Sequence, residues 1–205
     1  MSEHTEIELK YLVSTQQQEA LLDWLREQGM YVGSKRLENL YFDTATGDIQ
    51  KRKMGLRIRR WPGGAEQTIK LAGKVQGAMS QRPEYNAPTQ LAVPHLTAFP
   101  SDIWPSDFRP DEVTTRLELQ FEVHFTRQFF HFEQAQTQIE MALDEGFISA
   151  NGKREAILEL ELELKQGDIT VLEQLAEQLL TRFDLQAGEL SKAQRGFALL
   201  TQREG

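Results

Sequence analysis

The sequence predicts an α+β fold in which antiparallel strands form a barrel or a curved sheet, with helices packed outside. Many short stretches alternate apolar and polar residues, the pattern of half-buried strands. Turn signals separate several of them, including Asn151-Gly152, a strong hairpin signal. The proline-rich segment 88–110 is predicted to be a loop with short helical turns. No linker divides the 205 residues, so we expect a single domain over 1–205.

The predicted strands run along most of the chain. They cover residues 6–13, 55–60, 67–71, 83–86, 117–125, 129–133, 139–143 and 157–164. In the first of them, "EIELKYLV", Glu6, Glu8 and Lys10 share one face, and apolar side chains occupy the other. The segments 62–64 ("PGG") and 72–77 ("AGKVQG") are predicted to be turns between strands.

Two helices are predicted over residues 15–28 and 168–183, and a third, short one after Ser191. Ser14 or Thr15 is a suitable N-cap for the first helix because its side-chain oxygen can accept a backbone hydrogen bond. The second helix has an apolar stripe with helical spacing, made of Leu172, Leu175, Ala176, Leu179, Leu180 and Phe183.

Composition excludes several classes of protein. The formal net charge of −8 disfavours a nucleic-acid partner, because such proteins usually carry a basic excess. The sequence contains no cysteine, which excludes disulfides and thiolate chemistry and suits a reducing cytoplasm. No apolar run is long enough to span a membrane, and the N-terminus lacks an export signal. We therefore expect a cytoplasmic protein with no membrane partner.

Charges of one sign share faces in several predicted strands. Glu159, Glu161 and Glu163 line one face of a strand, and Arg57 and Arg59 line one face of another. Charged faces are common on the exposed side of an antiparallel sheet, so each strand alone is unremarkable. Same-face neighbours lie only about 7 Å apart, however, so segregated like charges repel one another. The whole set therefore favours an enclosed interior with the apolar faces covered by helices.

Such an interior needs occupants that balance its charge, because unpaired buried charges are costly. Clustered carboxylates are hard oxygen ligands that suit Mg²⁺ or Mn²⁺. Clustered arginines and lysines suit phosphate oxygens, and arginine can bind them in bidentate fashion. The residues alone thus predict a site for a polyphosphate with a divalent cation, and they leave the reaction open.

The chain resembles the CYTH superfamily, the triphosphate tunnel metalloenzymes. The resemblance starts with the ExExK motif at residues 6–10 and continues in the expected order over nearly the whole chain. The further motifs are "YFDT" (41–44), "GLRIRR" (55–60), "TIKLAGK" (68–74), "QRPEYN" (81–86), "ALDEG" (142–146), "ELELELKQGD" (159–168) and "LSKAQRG" (190–196). The wording at 81–86 and 190–196 is most similar to the bacterial inorganic triphosphatase branch, in which a helical CHAD domain often follows. The chain is either a single-domain member or a fragment of such a longer chain.

The resemblance implies an eight-stranded antiparallel barrel that forms a tunnel for triphosphate and metal. It implies that the metal is held by Glu6 and Glu8 with Glu159 and Glu161 of the late acidic strand. The implied phosphate-binding residues are Lys10, Arg57, Arg59, Lys70 and Arg82. Further tunnel positions are Glu84, Arg127 and Lys192 on the substrate side and Asp144 on the metal side. For Arg127 and Asp144, structural pairing with each other is the alternative.

The implied activity is the metal-dependent hydrolysis of inorganic triphosphate to diphosphate and phosphate. In this interpretation Mg²⁺ or Mn²⁺ is the cofactor, Lys10 neutralises phosphate charge, and Glu163 or Glu159 orients or deprotonates the attacking water. A class IV adenylyl cyclase or a thiamine triphosphatase would use the same tunnel. A non-catalytic polyphosphate-binding module is the alternative from another class, although the acidic set favours chemistry. The oligomeric state is left open.

Overall fold

The structure is a computed structural model that describes residues 2–201, with side chains described from residue 5 onward. This range contains ten strands: β1 (Ser2–Leu12), β2 (Met30–Thr44), β3 (Gly55–Trp61), β4 (Gly64–Lys70), β5 (Lys74–Gln76), β6 (Met79–Pro88), β7 (Leu117–Gln134), β8 (Thr137–Ala150), β9 (Lys153–Gln166) and β10 (Gln186–Ala187). It also contains four α-helices: α1 (Gln18–Gln28), α2 (Pro110–Thr114), α3 (Ile169–Arg182) and α4 (Lys192–Thr201).

Eight of the strands form a closed antiparallel barrel. Their order is β1-β9-β8-β7-β2-β3-β4-β6, and the pairing of β6 with β1 closes the ring. The two short strands lie outside this ring, β10 beside β1 and β5 beside β6. The predicted eight-stranded barrel is therefore confirmed, and closure leaves the long strands without free edges.

Helices α1 and α3 cover the outside of the barrel, as predicted. Leu21 and Leu25 of α1 and Leu175 of α3 are buried in one apolar cluster with Leu9 of β1 and Leu160 of β9. These strand residues alternate with the charged ones, so the helices cover the apolar faces. The charged faces of the same strands consequently point into the barrel.

The proline-rich segment covers a second part of the outer surface. It contains short 3-10 turns at Leu96–Ala98 and Ser101–Ile103, as the sequence predicts. Trp104 and Phe108 stack with ring centroids 4.8 Å apart, and both are buried with Ile58 and Ile69 of the barrel. This loop therefore covers the apolar outer face of β3 and β4, as α1 and α3 cover other strands.

Helix α4 packs differently from the other helices, because it contacts side chains that point into the barrel. Phe197 packs edge-on against Phe121 of β7, with ring centroids 5.0 Å apart. A Cβ at Gly196 would lie only 2.1 Å from a ring carbon of Phe121, so this close approach requires glycine. Helix α4 thereby fills part of the interior and brings Lys192 to the charged side chains there.

Several boundaries differ from the predictions. The predicted strands at 117–125 and 129–133 are parts of one continuous strand, β7. Strand β2 was not predicted, because its first seven residues are largely exposed and do not alternate cleanly. Part of the predicted turn at 72–77 forms β5. The N-cap of α1 is Gln17, whose side chain makes no capping hydrogen bond, so the Ser14 or Thr15 cap was wrong.

Within the part of the chain that the structure describes, no helix has the length and apolar character needed to cross a membrane.

Candidate active site

The barrel encloses a cavity of about 820 Å³. Inward-facing side chains of the eight barrel strands line it together with the first turn of α4. The structure brings the predicted site residues together here, except Asp144 and Glu159, which do not line the cavity and are fully buried. The segregated charges in the sequence therefore identified an enclosed interior.

One wall of the cavity is acidic. Glu6 and Glu8 on β1 lie beside Glu161 and Glu163 on β9, with Glu8 directly opposite Glu163 in the register. Burial, together with the charges of Glu161 and Glu6, raises the pKa of Glu8 to about 7. The hydroxyl of Ser80 donates to Glu8 Oε1 at 3.2 Å. Burial and the neighbouring carboxylates thus disfavour the ionised form of Glu8, which a divalent cation would stabilise.

The wall across the barrel is basic. Arg57 and Arg59 lie on β3, which is four strands from β9 in either direction around the ring. The Nε of Arg57 is buried without a hydrogen-bond partner. Burial and the charges of Arg57 and Arg127 lower the pKa of Arg59 to about 10. Such crowded cations favour an anion between them.

Lys70 lies between these walls in an ion-paired group. Its ammonium is 2.5 Å from a carboxylate oxygen of Glu6 and 2.9 Å from one of Glu84. Burial alone would lower the pKa of Lys70, but the charges of Glu6 and Glu84 outweigh burial and raise it. Asn86 donates to Glu84 Oε1 at 2.7 Å, so this carboxylate is held in place. Arg82 is more distant from its carboxylate, with 3.8 Å between its guanidinium and Glu8.

A buried ionic network joins α4 to the acidic wall. The Lys192 ammonium lies 2.8 Å from Asp144, 2.7 Å from Glu159 and 2.8 Å from Glu161. Arg127 binds Asp144 in bidentate fashion at 2.6 and 2.7 Å and also pairs with Glu161. Lys192 and Arg127 outweigh the effect of burial and hold the pKa of Glu161 well below its ordinary value.

The same network bears on where a metal could bind. Asp144, Glu159 and Glu161 offer carboxylate oxygens within 4.8 Å of one another, a spacing that one cation could bridge. The ammonium of Lys192 already contacts all three of these carboxylates. A divalent cation at this point would have to displace Lys192, whereas the crowded acidic wall around Glu8 offers oxygens that face the open cavity.

Lys10 projects from β1 into the cavity next to the segment before α4. Its ammonium donates to the backbone carbonyl of Leu190 at 2.6 Å. A Cβ at Gly188 would lie 2.9 Å from two carbons of the Lys10 side chain, so only glycine fits there without displacing the lysine. Burial lowers the pKa of Lys10. The lysine of the ExExK motif is thus held by a neutral acceptor.

Sequence reasoning missed several residues that line the cavity or lie next to it. Arg195 pairs with Glu159 and, at 2.6 Å, with Glu155. Tyr41 and Lys35 of β2 line the cavity itself. Arg195 and Tyr41 lie inside motifs quoted for the resemblance, "LSKAQRG" and "YFDT", so their positions carried a signal. Lys35 has no such signal, because β2 itself was not predicted.

Comparison with known proteins identifies the class to which this barrel with a charged cavity belongs. The family described as CYTH domain matches residues 4–197. The chain therefore belongs to the CYTH family. The "Inorganic triphosphatase" of Haemophilus influenzae is 34% identical over 200 residues, which are 95% of this chain and 54% of that protein. The chain thus spans about half the length of this curated relative.

Solved structures share the fold at low sequence identity. A putative adenylyl cyclase from Hippeastrum, described as having a dominant triphosphatase activity, superposes with a TM-score of 0.67 at 20% identity, covering 95% of this chain and 94% of that one. A putative adenylate cyclase from Bacillus halodurans gives a TM-score of 0.62 at 21% identity, covering 96% and 100% of the two chains. At this identity the likeness establishes the tunnel fold.

Proposed function

We propose that the protein hydrolyses inorganic triphosphate to diphosphate and phosphate inside the barrel, with Mg²⁺ or Mn²⁺. The observation that carries this proposal is the arrangement of one cavity in which the carboxylates of Glu8 and Glu161 face Arg57 and Arg59 across the ring. A chain of phosphates with a bound cation would balance the charges of both walls, since the cation faces the carboxylates and the phosphates face the arginines. The Haemophilus influenzae relative, which is called an inorganic triphosphatase, supports the choice of substrate.

In this proposal Glu6, Glu8 and Glu161 hold the divalent cation. They are neighbours on β1 and β9, and burial together with the charges of Glu161 and Glu6 raises the pKa of Glu8, an effect that a bound cation would offset. Carboxylate oxygens are the ligands that Mg²⁺ and Mn²⁺ prefer. When bound, the cation would neutralise phosphate oxygens and lower the pKa of a coordinated water.

The chain's own side chains bind and orient the substrate. Arg57 and Arg59 bind the phosphate oxygens, and Lys10 adds positive charge from β1. Phosphoryl transfer needs mainly positioning and electrostatic stabilisation, which fixed cations supply without reorganisation. Lys70, Arg82 and Arg127 line the same cavity in ion pairs and complete its basic lining.

Glu163 is the residue that we propose to accept the proton of the attacking water. It lines the cavity beside Glu8, and burial raises its pKa, which brings a carboxylate nearer to the range of a useful base. Glu159, the other candidate from the sequence, is fully buried against Lys192 and Arg195. We assign Glu159 and Asp144 to fixing Lys192 rather than to contact with the water or the metal.

The test is product analysis with inorganic triphosphate, ATP and thiamine triphosphate supplied separately at equal concentration, with Mg²⁺ and Mn²⁺ compared. We expect phosphate and diphosphate from triphosphate, much slower release from the other two substrates, and no cyclic AMP. Cyclic AMP as the main product from ATP would favour a cyclase, and faster turnover of thiamine triphosphate would favour that activity. Binding of triphosphate without hydrolysis would identify a polyphosphate-binding module.

A further inference from the structure

The cations of the cavity fall into two groups according to their partners. Lys70, Arg127 and Lys192 each lie within 3 Å of at least one carboxylate oxygen. Among the side chains that the structure describes, Arg57 and Arg59 have no carboxylate oxygen within the 4.0 Å of an ion pair. The paired cations are part of the barrel's own charge balance. The unpaired arginines keep their charge for a ligand.

Arg59 is nevertheless held in place, and the group that holds it is Asn39. Asn39 of β2 lies directly opposite Arg59 of β3 in the register. The Nε of Arg59 donates to Asn39 Oδ1 at 2.9 Å. Asn39 is fully buried, and its Nδ2 donates to the backbone carbonyl of Val123 on β7 at 3.3 Å. Because the side-chain nitrogen of Asn39 donates to β7, the side-chain oxygen of Asn39 is directed toward Arg59.

The choice of an amide matters for the charge of the site. A neutral acceptor on Nε restrains the guanidinium plane but leaves the net positive charge of Arg59 intact. It also leaves the two terminal nitrogens free for bidentate contact with a phosphate. An aspartate at position 39 would have nearly the same shape, but it would form an ion pair with Arg59 and compete with the phosphate.

We propose that Asn39 is a positioning residue, which orients Arg59 toward the phosphate chain without neutralising it. This inference rests on the proposed function in that the anion is a phosphate chain, but it does not require hydrolysis. It predicts that Asn39 acts on phosphate only through Arg59. A residue that merely supported the strand pairing of β2 would affect binding whether or not Arg59 were present.

The experiment is a double-mutant cycle measured by calorimetric titration of inorganic triphosphate in EDTA, where no metal-dependent turnover occurs. We expect Asn39→Ala to weaken binding about tenfold, or about 1.4 kcal/mol, in the wild-type background. In the Arg59→Ala background, Asn39→Ala should have no further effect. Asn39→Asp should weaken binding more than Asn39→Ala, because it adds a competing charge.

Ser34→Asp is the matched control for Asn39→Asp. It adds the same charge to the same strand at an exposed position. Because side chains alternate along β2 and Lys35 lines the cavity, Ser34 lies on the outer face of the barrel. Its triphosphate affinity should stay within twofold of the wild type. If Asn39→Asp does not fold, as judged by circular dichroism, the cycle with Asn39→Ala decides the question alone.

Two results would overturn the inference: an equal loss from Asn39→Ala with and without Arg59, or binding by folded Asn39→Asp that is as tight as that of Ser34→Asp. Hydrolysis and binding are separate readouts, so the two proposals can fail independently. A wild-type protein that binds triphosphate but does not hydrolyse it contradicts only the proposed function. A wild-type protein that binds neither triphosphate, diphosphate nor phosphate contradicts both.

Discussion

The ammonium of Lys70 donates hydrogen bonds to both carboxylate oxygens of Glu6, at 2.7 and 2.5 Å. The resemblance to the CYTH superfamily implied that Lys70 binds phosphate and that Glu6 binds metal, but here Lys70 neutralises Glu6. A cation arriving at Glu6 has to overcome the charge of Lys70, and its arrival frees that ammonium for phosphate. Metal and triphosphate should thus strengthen each other's binding, and by the same factor.

Replacing Lys70 tests this relationship. Lys70→Gln removes a positive charge beside Glu6, so we expect Mn²⁺ alone to bind more tightly, by about tenfold or more given the short distances. Triphosphate alone should bind more weakly, because the basic lining loses one charge. Titration calorimetry of each ligand separately measures both effects. Lys74→Gln, an exposed change on β5, is the control and should alter neither affinity. Weaker Mn²⁺ binding by a folded Lys70→Gln would contradict the proposed competition.

Glu8→Gln should abolish turnover while leaving the barrel folded. The change removes an anionic ligand from the centre of the acidic wall but preserves side-chain volume and the hydrogen bond that Ser80 can donate. Phosphate release at saturating metal measures the activity, and circular dichroism checks the fold. Near wild-type turnover in this variant would show that β1 does not hold the metal.

Glu8 should also give the metal-free protein a characteristic pH dependence. Its pKa is raised from 4.5 to about 7, so between these values the folded state binds more protons than the unfolded state. As pH rises through this window, the ionisation of Glu8 should lower the unfolding free energy of the wild type by up to about 3 kcal/mol. Glu8→Gln has no such proton to lose. The unfolding free energy of Glu8→Gln minus that of the wild type should therefore increase from pH 4.5 to 7 and then level off.

Urea unfolding in EDTA at several pH values measures this difference. The matched control is Glu19→Gln on the exposed face of α1, whose stability relative to the wild type should not follow the same curve. A pH-independent difference for Glu8→Gln would mean that Glu8 titrates alike in the folded and unfolded states.

Lys192→Met should destabilise the metal-free protein by about 3–5 kcal/mol, because it leaves the fully buried Asp144 and Glu159, and Glu161 beside them, without their common partner. The comparison is Arg26→Ala, which removes an exposed pair with Asp23 and should cost less than about 1 kcal/mol. Urea unfolding of both variants gives the two values. A cost for Lys192→Met as small as that for Arg26→Ala would show that the network adds little to stability.

Local alternation predicted an antiparallel barrel or curved sheet with charged faces, whereas the closed ring of eight strands was predicted only from the resemblance to the CYTH superfamily. Glu159, Glu161 and Glu163 could be assigned to one face by spacing alone, and so could Arg57 and Arg59. Strand β2 escaped prediction since its exposed first half lacks a buried face to create the alternating pattern. Because β2 was not predicted, Asn39 and Lys35 were not identified as candidate site residues.

Which charges pair with which could not be predicted in the same way. Lys192 meets Glu159 across 33 residues of chain, and Lys70 meets Glu6 across 64. These contacts depend on barrel closure and on the placement of α4, which no local pattern encodes. The division of the cations into paired and unpaired groups therefore emerges only from the folded barrel.

Closure of the ring between β1 and β6 on one side and β9 on the other has a consequence for how the chain folds during synthesis. The first strand needs a neighbour that leaves the ribosome about 150 residues later, given that β9 starts at Lys153. Until then, β1 has one open edge, and its carboxylates are exposed to water. Such long-range pairing makes folding slow, because loop-closure entropy must be overcome before the contacts form. The pairing of β9 with β1 both closes the ring and brings Glu161 and Glu163 beside Glu8, so closure of the barrel and assembly of the acidic wall occur together.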